Sequence, residues 1–293
     1  MKVDMKFALF IGCTIPRRVR HYEVSARVVL ERLGVELVDI HEFNCCGYPM
    51  KNLDFETSVL FSARNLALAE RQGLNLMTLC KCCFGSLRKA NHVLKEKAAL
   101  RDEINRVLAQ EDLEYKGTLE VTHLLSVLHR EIGSAVLKEK ATRAFKDLKI
   151  ATHYGCHALR PSDIMEFDDP TAPVLFDQLV EATGAKSIDW SLKLECCGAP
   201  LMGINDELSM DLTEKKLRNG KDSGADFICV ACPWCQTQFD RVQEMMASLR
   251  GTNHHLPSIL YPQLLGLAMG IDGGKLGMDM NRIDVTGIED FLS

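Results

Sequence analysis

The segment HEFNCCGYPMKNLDFETSVLFSARNLALAERQGLNLMTLCKCCFGSL, residues 41–87, decides the fold, because residues 191–239 repeat its layout. In the first copy Cys45-Cys46-Gly47 is followed by Cys80-Lys81-Cys82-Cys83. In the second, Cys196-Cys197-Gly198 is followed by Cys232-Pro233-Trp234-Cys235. The stretch between the two motifs is 33 residues from Gly47 to Leu79 and 34 from Gly198 to Ala231. A single cysteine precedes each copy: Cys13, with 31 residues before Cys45, and Cys156, with 39 before Cys196. A single, a double-Cys-Gly and a CxxC at near-equal spacing mark a duplicated structural unit.

Working outward, each cysteine group follows a short apolar run of strand character. The runs are Phe7–Ile11, Val35–Ile40 and Leu74–Leu79, then Lys149–Thr152, Ser191–Leu194 and Asp226–Ala231. Helical patterns lie between them at Tyr22–Leu33, Phe55–Gln72, Val174–Ala182 and Asp206–Asn219, with Gly34, Gly73, Gly184, Gly220 and Gly224 placed to stop them. Strand–helix alternation predicts parallel strands. All three cysteine groups of a half then meet at the carboxyl edge of one sheet, where open α/β sheets bind ligands and where positive helix N-termini favour an anion. The expected fold is α/β: two pseudo-symmetric CCG repeats, each a small, mainly parallel sheet with helices. They span residues 1–147 and 148–293 and pack together through a charged helical segment, Ser86 to Asp147. The apolar stretch Leu256–Met269 reads as a buried helix. The glycine-rich tail after Gly270 reads as a surface extension or a partner-binding arm.

Composition narrows the function. A hydrophobic content of 46% and a charged content of 26% are those of a soluble globular chain. A net charge of −5 argues against nucleic acid as a partner. Residues 1–13 lack the features of a secretory signal, and Leu256–Met269, at 14 residues, is too short to span a bilayer. The expectation is a cytoplasmic protein without an integral membrane segment. In that compartment thiols stay reduced, so twelve cysteines point to metal rather than to disulfides.

Thiolates select soft metals. Structural zinc takes four ligands, and an ordinary cubane cluster also takes four. Each half offers five matched cysteines. A polynuclear iron–sulfur cluster with bridging thiolates fits that count, as does a cubane plus one free thiol. Cys82 and Cys229 have no cysteine counterpart, aligning with Trp234 and Met77, and read as core or neighbouring residues. Cys229 does form a second CxxC with Cys232, the alternative for that residue.

At this point the residues carry a resemblance. The doubled Cys, Cys-Cys-Gly, CxxC pattern resembles the cysteine-rich CCG domain. SARNLALAERQGLNLMTLCKCCFGSL (62–87) and the ending SILYPQLLGLAMG (258–270) look like the B subunit of heterodisulfide reductase. The resemblance implies two noncubane [4Fe-4S] clusters. One would be held by Cys13, Cys45, Cys46, Cys80 and Cys83, the other by Cys156, Cys196, Cys197, Cys232 and Cys235. It implies a small disulfide or thiol substrate cleaved or formed in one-electron steps. It also implies an iron–sulfur donor like the C subunit of heterodisulfide reductase and, upstream, a flavin-containing protein like its A subunit. Two alternatives stand beside it: an iron–sulfur relay subunit of a hydroxyacid or succinate oxidoreductase, and a zinc-stabilised scaffold.

Disulfide reduction needs proton donors and a hold on an anionic substrate. His153, His157 and Arg160 around Cys156 are the catalytic candidates. Each has a structural alternative: a core histidine for His153, and a solvated helix face or a cap on the helix dipole for His157 and Arg160. Arg17, Arg18, Arg20 and His21 after Cys13 are further basic candidates, read individually as surface groups. Lys81, inside the first CxxC, reads as offsetting cluster charge or donating to a sulfur. His254 and His255 read as loop residues. The sequence GIDGGKLG, residues 270–277, lacks the strand–loop–helix context of a nucleotide loop.

Overall fold

The computed structural model describes residues 5–251 and 255–293. Two four-stranded sheets share one topology. The first half runs β1 (Met5–Phe10), α1 (Thr14–Arg18), α2 (Arg20–Arg32), β2 (Val35–Val38), α3 (Phe55–Arg71), β3 (Asn75–Thr78) and α4 (Lys81–Glu96). It continues with α5 (Ala98–Leu108), β4 (Val121–His123), α6 (Leu124–Ser126) and α7 (Ser134–Lys140), the last two joined by a π-helical stretch, Val127–Gly133. The second half runs β5 (Lys149–Thr152), α8 (Ser162–Met165), α9 (Leu175–Glu181), β6 (Lys186–Ser187), α10 (Asp206–Asp222) and β7 (Phe227–Val230). After these come α11 (Pro233–Thr237), α12 (Gln243–Arg250), β8 (Ser258–Leu260) and α13 (Tyr261–Ala268). The strand orders are β2-β1-β3-β4 and β6-β5-β7-β8, with every pairing parallel. The two central strands of each sheet are buried along most of their length, as sheets covered on both faces require.

The equivalence reaches single residues. Leu9 pairs with Met77 and Thr152 with Cys229, so Met77 and Cys229 occupy matching places, as the alignment predicts. Asp54 caps α3 by accepting from the Thr57 N–H at 3.0 Å. Asn205 caps α10 from the Leu208 N–H at 3.1 Å.

The halves exchange helices. α2 of the first half lies against α13 of the second, and α9 of the second lies against α6 and α7 of the first. Nearer the cysteines, α1 touches α11 and α4 touches α8. The carboxyl edges of the two sheets therefore face each other.

Five sequence expectations change. β4 and β8 are strands of three residues, too short to leave a period; β4 lies inside the segment read as helical, and β8 opens the run read as one buried helix. Ser191–Leu194 is a turn, and the strand before the second Cys-Cys-Gly is Lys186–Ser187. Gly220 does not stop α10. It lies inside that helix, where an added Cβ would come within 2.9 Å of Leu256. The tail after Gly270 is packed onto the body. Leu276, Val285 and Ile288 are buried, the Asp240 carboxylate accepts from the Arg282 and Ile283 N–H groups, and Phe145 bridges to Leu292.

Candidate functional site: a ten-cysteine seam beside a two-chambered cleft

Each of the ten matched cysteines stands in the loop or helix start that follows a strand. Cys13, Cys80 and Cys232 occupy the N-cap positions of α1, α4 and α11, and Cys83 and Cys235 lie in the first turns of α4 and α11. Their sulfurs are thus near helix N-termini, where unpaired N–H groups favour negative charge. The Cys-Cys-Gly loops turn through left-handed glycines, Gly47 at φ +82° and Gly198 at φ +90°. Matching hydrogen bonds tie both loops to the helix that follows. Ser62 Oγ donates to the Cys46 carbonyl at 2.7 Å and Ser58 Oγ to that of Gly47 at 3.0 Å. Thr213 Oγ1 donates to the Cys197 carbonyl and Ser209 Oγ to that of Gly198, both at 3.0 Å.

Thiol-to-thiol contacts run in one unbroken order within each half. The first is Cys13–Cys45–Cys46–Cys83–Cys80, and the second is Cys156–Cys196–Cys197–Cys235–Cys232. The two runs meet at Cys80–Cys232, with Cys82 against both; one sulfur from each of these three lies within 4.8 Å of the others. Cys229 lies within β7, fully buried, and makes no such contact. Cys82, by contrast, belongs to the site, a placement that its lack of a cysteine counterpart concealed. Crowding couples the thiols: contact with Cys156 pulls Cys196 down to about 2, while contact with Cys196 pushes Cys156 up. The full set ionises together only around a strongly positive centre. Five contiguous soft donors per half, with no carboxylate among them, exceed what one zinc accepts and suit a polynuclear iron–sulfur group.

A cavity of about 320 Å³ opens onto the second set. Cys156, Cys196, Cys197, Cys232 and Cys235 line it, together with His153, His157, Trp234 and, from the first half, Tyr48, Lys51 and Cys82. A smaller chamber of about 140 Å³ shares Tyr48, Lys51, Cys82 and His157 and adds Lys89 and Arg160.

His157 sits at the junction. Its Nε2 faces the Tyr48 hydroxyl at 3.2 Å and Lys51 Nζ at 3.4 Å, and its Nδ1 lies 3.4 Å from Cys82 Sγ and 3.6 Å from Cys156 Sγ. Lys51, which can only donate, makes Nε2 the acceptor and so assigns the proton to Nδ1, directed at sulfur. Burial, then the charge of Lys51, lowers the His157 pKa, and burial keeps the Tyr48 phenol protonated. His153 is fully buried with neither ring nitrogen partnered, and one of them lies within 4.8 Å of the Cys197 and Cys235 sulfurs. Burial, then Lys216 and Lys81, holds it neutral. Such an orphaned ring is a feature of a site that receives another group.

Lys81 is buried. Its ammonium donates to the Tyr154 carbonyl at 2.6 Å and to that of His153 at 3.3 Å, across the boundary between halves. Arg17, Arg18 and Arg20 point to solvent and line neither chamber, and His21 is buried elsewhere, beside Gly277. His255 is an exposed loop residue; His254 lies outside the described residues. Tyr48, Lys51, Lys89 and Lys216 were not legible as site residues. His123 ends β4 fully buried, with its pKa pushed down to about 3 by burial and then by Lys81. Among the described residues, no helix is long and apolar enough to cross a membrane.

Comparison with known proteins gives the same picture. The cysteine-rich domain named CCG matches residues 7–88 and again 150–240. The chain is 40% identical to the B subunit of the Ferredoxin/F(420)H(2)-dependent CoB-CoM heterodisulfide reductase of Methanosarcina acetivorans, over 95% of this chain and 94% of that protein. It is 34% identical to the 8-methylmenaquinol:fumarate reductase membrane anchor subunit of Wolinella succinogenes, over 97% and 99%. A crystal structure of a hypothetical protein from Helicobacter pylori shares the fold, with a TM-score of 0.76 and 21% identity, covering 96% of this chain and 52% of that one. With two cysteine-rich CCG domains in one seam and that likeness along nearly its whole length, the chain belongs to the family of heterodisulfide reductase B subunits.

Proposed function

We propose that the chain is the catalytic subunit of a heterodisulfide reductase-like complex, reducing or forming a small disulfide that carries an anionic group. One observation carries the reading: the larger cavity is lined by the Cys156–Cys232 set and shares Tyr48, Lys51, Cys82 and His157 with a chamber that adds Lys89 and Arg160. A disulfide in the first would place its charged end in the second.

Two noncubane [4Fe-4S] clusters, one on each five-cysteine set, would supply electrons singly to the sulfur atoms. The chain's own residues do the rest. Lys51, Lys89 and Arg160 hold a carboxylate, sulfonate or phosphate. Trp234 and Ile204 line the larger cavity with apolar surface, which lowers the local dielectric and strengthens those contacts. His157 Nδ1–H donates to a thiolate as it forms, and Lys51 and Tyr48 restore the proton through Nε2. His153 is read as packing beneath the Cys197–Cys235 edge rather than as a donor, since Phe239 closes on its ring at 5.0 Å. We further place the protein in the cytoplasm. Its electrons come from an iron–sulfur protein like the C subunit of heterodisulfide reductase, fed in turn by a flavin-containing protein like the A subunit.

A relay role is the second reading, favoured by the likeness to a fumarate reductase subunit. The deciding measurement is the iron, zinc and acid-labile sulfide content of anaerobically prepared protein, followed by EPR after mild oxidation with and without a thiol. About eight irons with matching sulfide and a thiol-dependent signal support disulfide chemistry. Iron and sulfide without a thiol response support the relay role. Zinc without sulfide removes both.

A further inference from the structure

The two cysteine sets match in backbone and differ in surrounding charge. Two buried ammonium groups stand against the second set. Lys81 donates to the Tyr154 and His153 carbonyls, two and three residues before Cys156. Its Cδ and the Cys235 sulfur both come within 3.9 Å of a Cβ placed on Gly155. Lys216, also buried, donates to the carbonyls of Leu192 and Glu195, the latter immediately before Cys196.

The first set has neither. Asn65 takes the place of Lys216, one helical turn beyond Ser62 as Lys216 is beyond Thr213, and donates to the Cys45 carbonyl at 3.1 Å. Pro233 takes the place of Lys81, and Phe10 and Thr14 take those of His153 and His157. Arg17 and Arg18 follow Cys13 but are exposed, where water and salt screen them. Access differs too: Cys13 is exposed, whereas its counterpart Cys156 is partly covered at the cavity.

We infer that the two centres are unequal by construction: Lys81 and Lys216 make the second-set centre the stronger electron acceptor, and the first-set centre is the point of electron intake. A fixed positive charge in a dry site stabilises the reduced, more negative state of its neighbour. An electron delivered by an iron–sulfur partner at the Cys13 edge then runs downhill to the centre beside the cavity. This rests on the iron–sulfur reading above.

The test is a potentiometric titration of the loaded protein followed by EPR, with Cys13→Ser and Cys156→Ser assigning each signal to its set. Iron and sulfide are counted first, so failure to load would sink the iron–sulfur reading itself. The parent should show two separated one-electron steps, the higher belonging to the second set. Lys216→Met and Lys81→Met should each lower the higher step by at least tenfold in its equilibrium constant, 59 mV, and leave the lower step in place. Lys216→Arg should retain the parent value. Asn65→Lys, which gives the first half the missing charge, should raise the lower step. A single shared potential in loaded parent protein, or equal movement of both steps in the lysine variants, would overturn the inference. If either methionine variant fails to fold, the parent titration and Asn65→Lys decide it.

Discussion

Gly47→Ala and Gly198→Ala test why a glycine follows each cysteine pair. Two costs are separable. Gly47 sits at φ +82° and Gly198 at φ +90°, a region that costs an alanine about 1–2 kcal/mol. A Cβ at either site would also lie 2.4 Å from a helix carbonyl oxygen, that of Ser58 or Ser209. Those are backbone atoms and cannot rotate away, so the loop must lift. Lifting it breaks the Ser58–Gly47 and Ser62–Cys46 hydrogen bonds in one half, and the Ser209–Gly198 and Thr213–Cys197 bonds in the other. At about 1 kcal/mol for each bond, the total comes to roughly 3–4 kcal/mol.

Gly34 is the control: it has φ +79° but nothing within 4 Å of an added Cβ, so Gly34→Ala carries the conformational cost alone. The assay is the denaturant dependence of unfolding, read as rates where it is irreversible, together with iron retained per chain. Gly47→Ala should lose about half the iron and Gly198→Ala the other half, with Gly34→Ala retaining all. If Gly34→Ala and Gly47→Ala prove equally destabilising and equally loaded, the close approach to the helix carbonyl is not what the glycine is for.

Three further outcomes are expected. Removing the His157 imidazole in His157→Ala should lower disulfide turnover by about 100-fold with iron content unchanged, the scale of a lost general acid; an unchanged kcat would remove it from proton delivery. Lys89→Glu and Arg160→Glu should raise KM for an anionic disulfide roughly tenfold with kcat little altered, an effect that fades at high salt; a neutral disulfide should not respond. Burial and then Arg241 lower His21 from its ordinary 6.5 to about 4, and its Nε2 is buried without a partner. The native state then binds fewer protons than the unfolded chain, so this contribution is complete above pH 6.5 and is lost as pH falls to 4. That amounts to about 3 kcal/mol, and His21→Leu should flatten the difference in stability between pH 7.5 and 4.5; an unchanged slope would show that His21 is not its source.

The sequence exposed the repeat because its motifs carry chemistry that spacing alone reveals. Cys45-Cys46-Gly47 and Cys196-Cys197-Gly198 fell at matching turns, and the long amphipathic helices α3 and α10 were readable within a few residues at each end. What stayed hidden was short or non-local. β8 runs straight into α13, so one apolar stretch held two elements and no period could divide them. Ser191–Leu194 alternates like a strand, yet its polar residues are spoken for at a distance: Lys193 reaches Asp177 at 2.6 Å, and Ser191 bonds Asn219. Lys51 and Lys89 lie on either side of α3 in sequence and enter the chamber only once α3 and α4 pack together. His153, His157 and Arg160 lie close to Cys156 in sequence and line the chambers beside it, so here neighbours in sequence are neighbours in space.

The exchange of helices has a bearing on ancestry. α13 covers α2 across the molecule, and α6 and α7 cover α9 in return. A single half would leave α2 without its cover, whereas two copies of one half, arranged head to head, would satisfy each other. That is the packing of a swapped homodimer whose protomers have been joined by residues 141–148. Duplication then released the copies from symmetry, so that one carries Lys216 and a histidine pair where the other carries Asn65, Phe10 and Thr14. Cutting the chain within residues 141–148 and co-expressing the pieces should therefore return an assembled pair, and either piece alone should not fold.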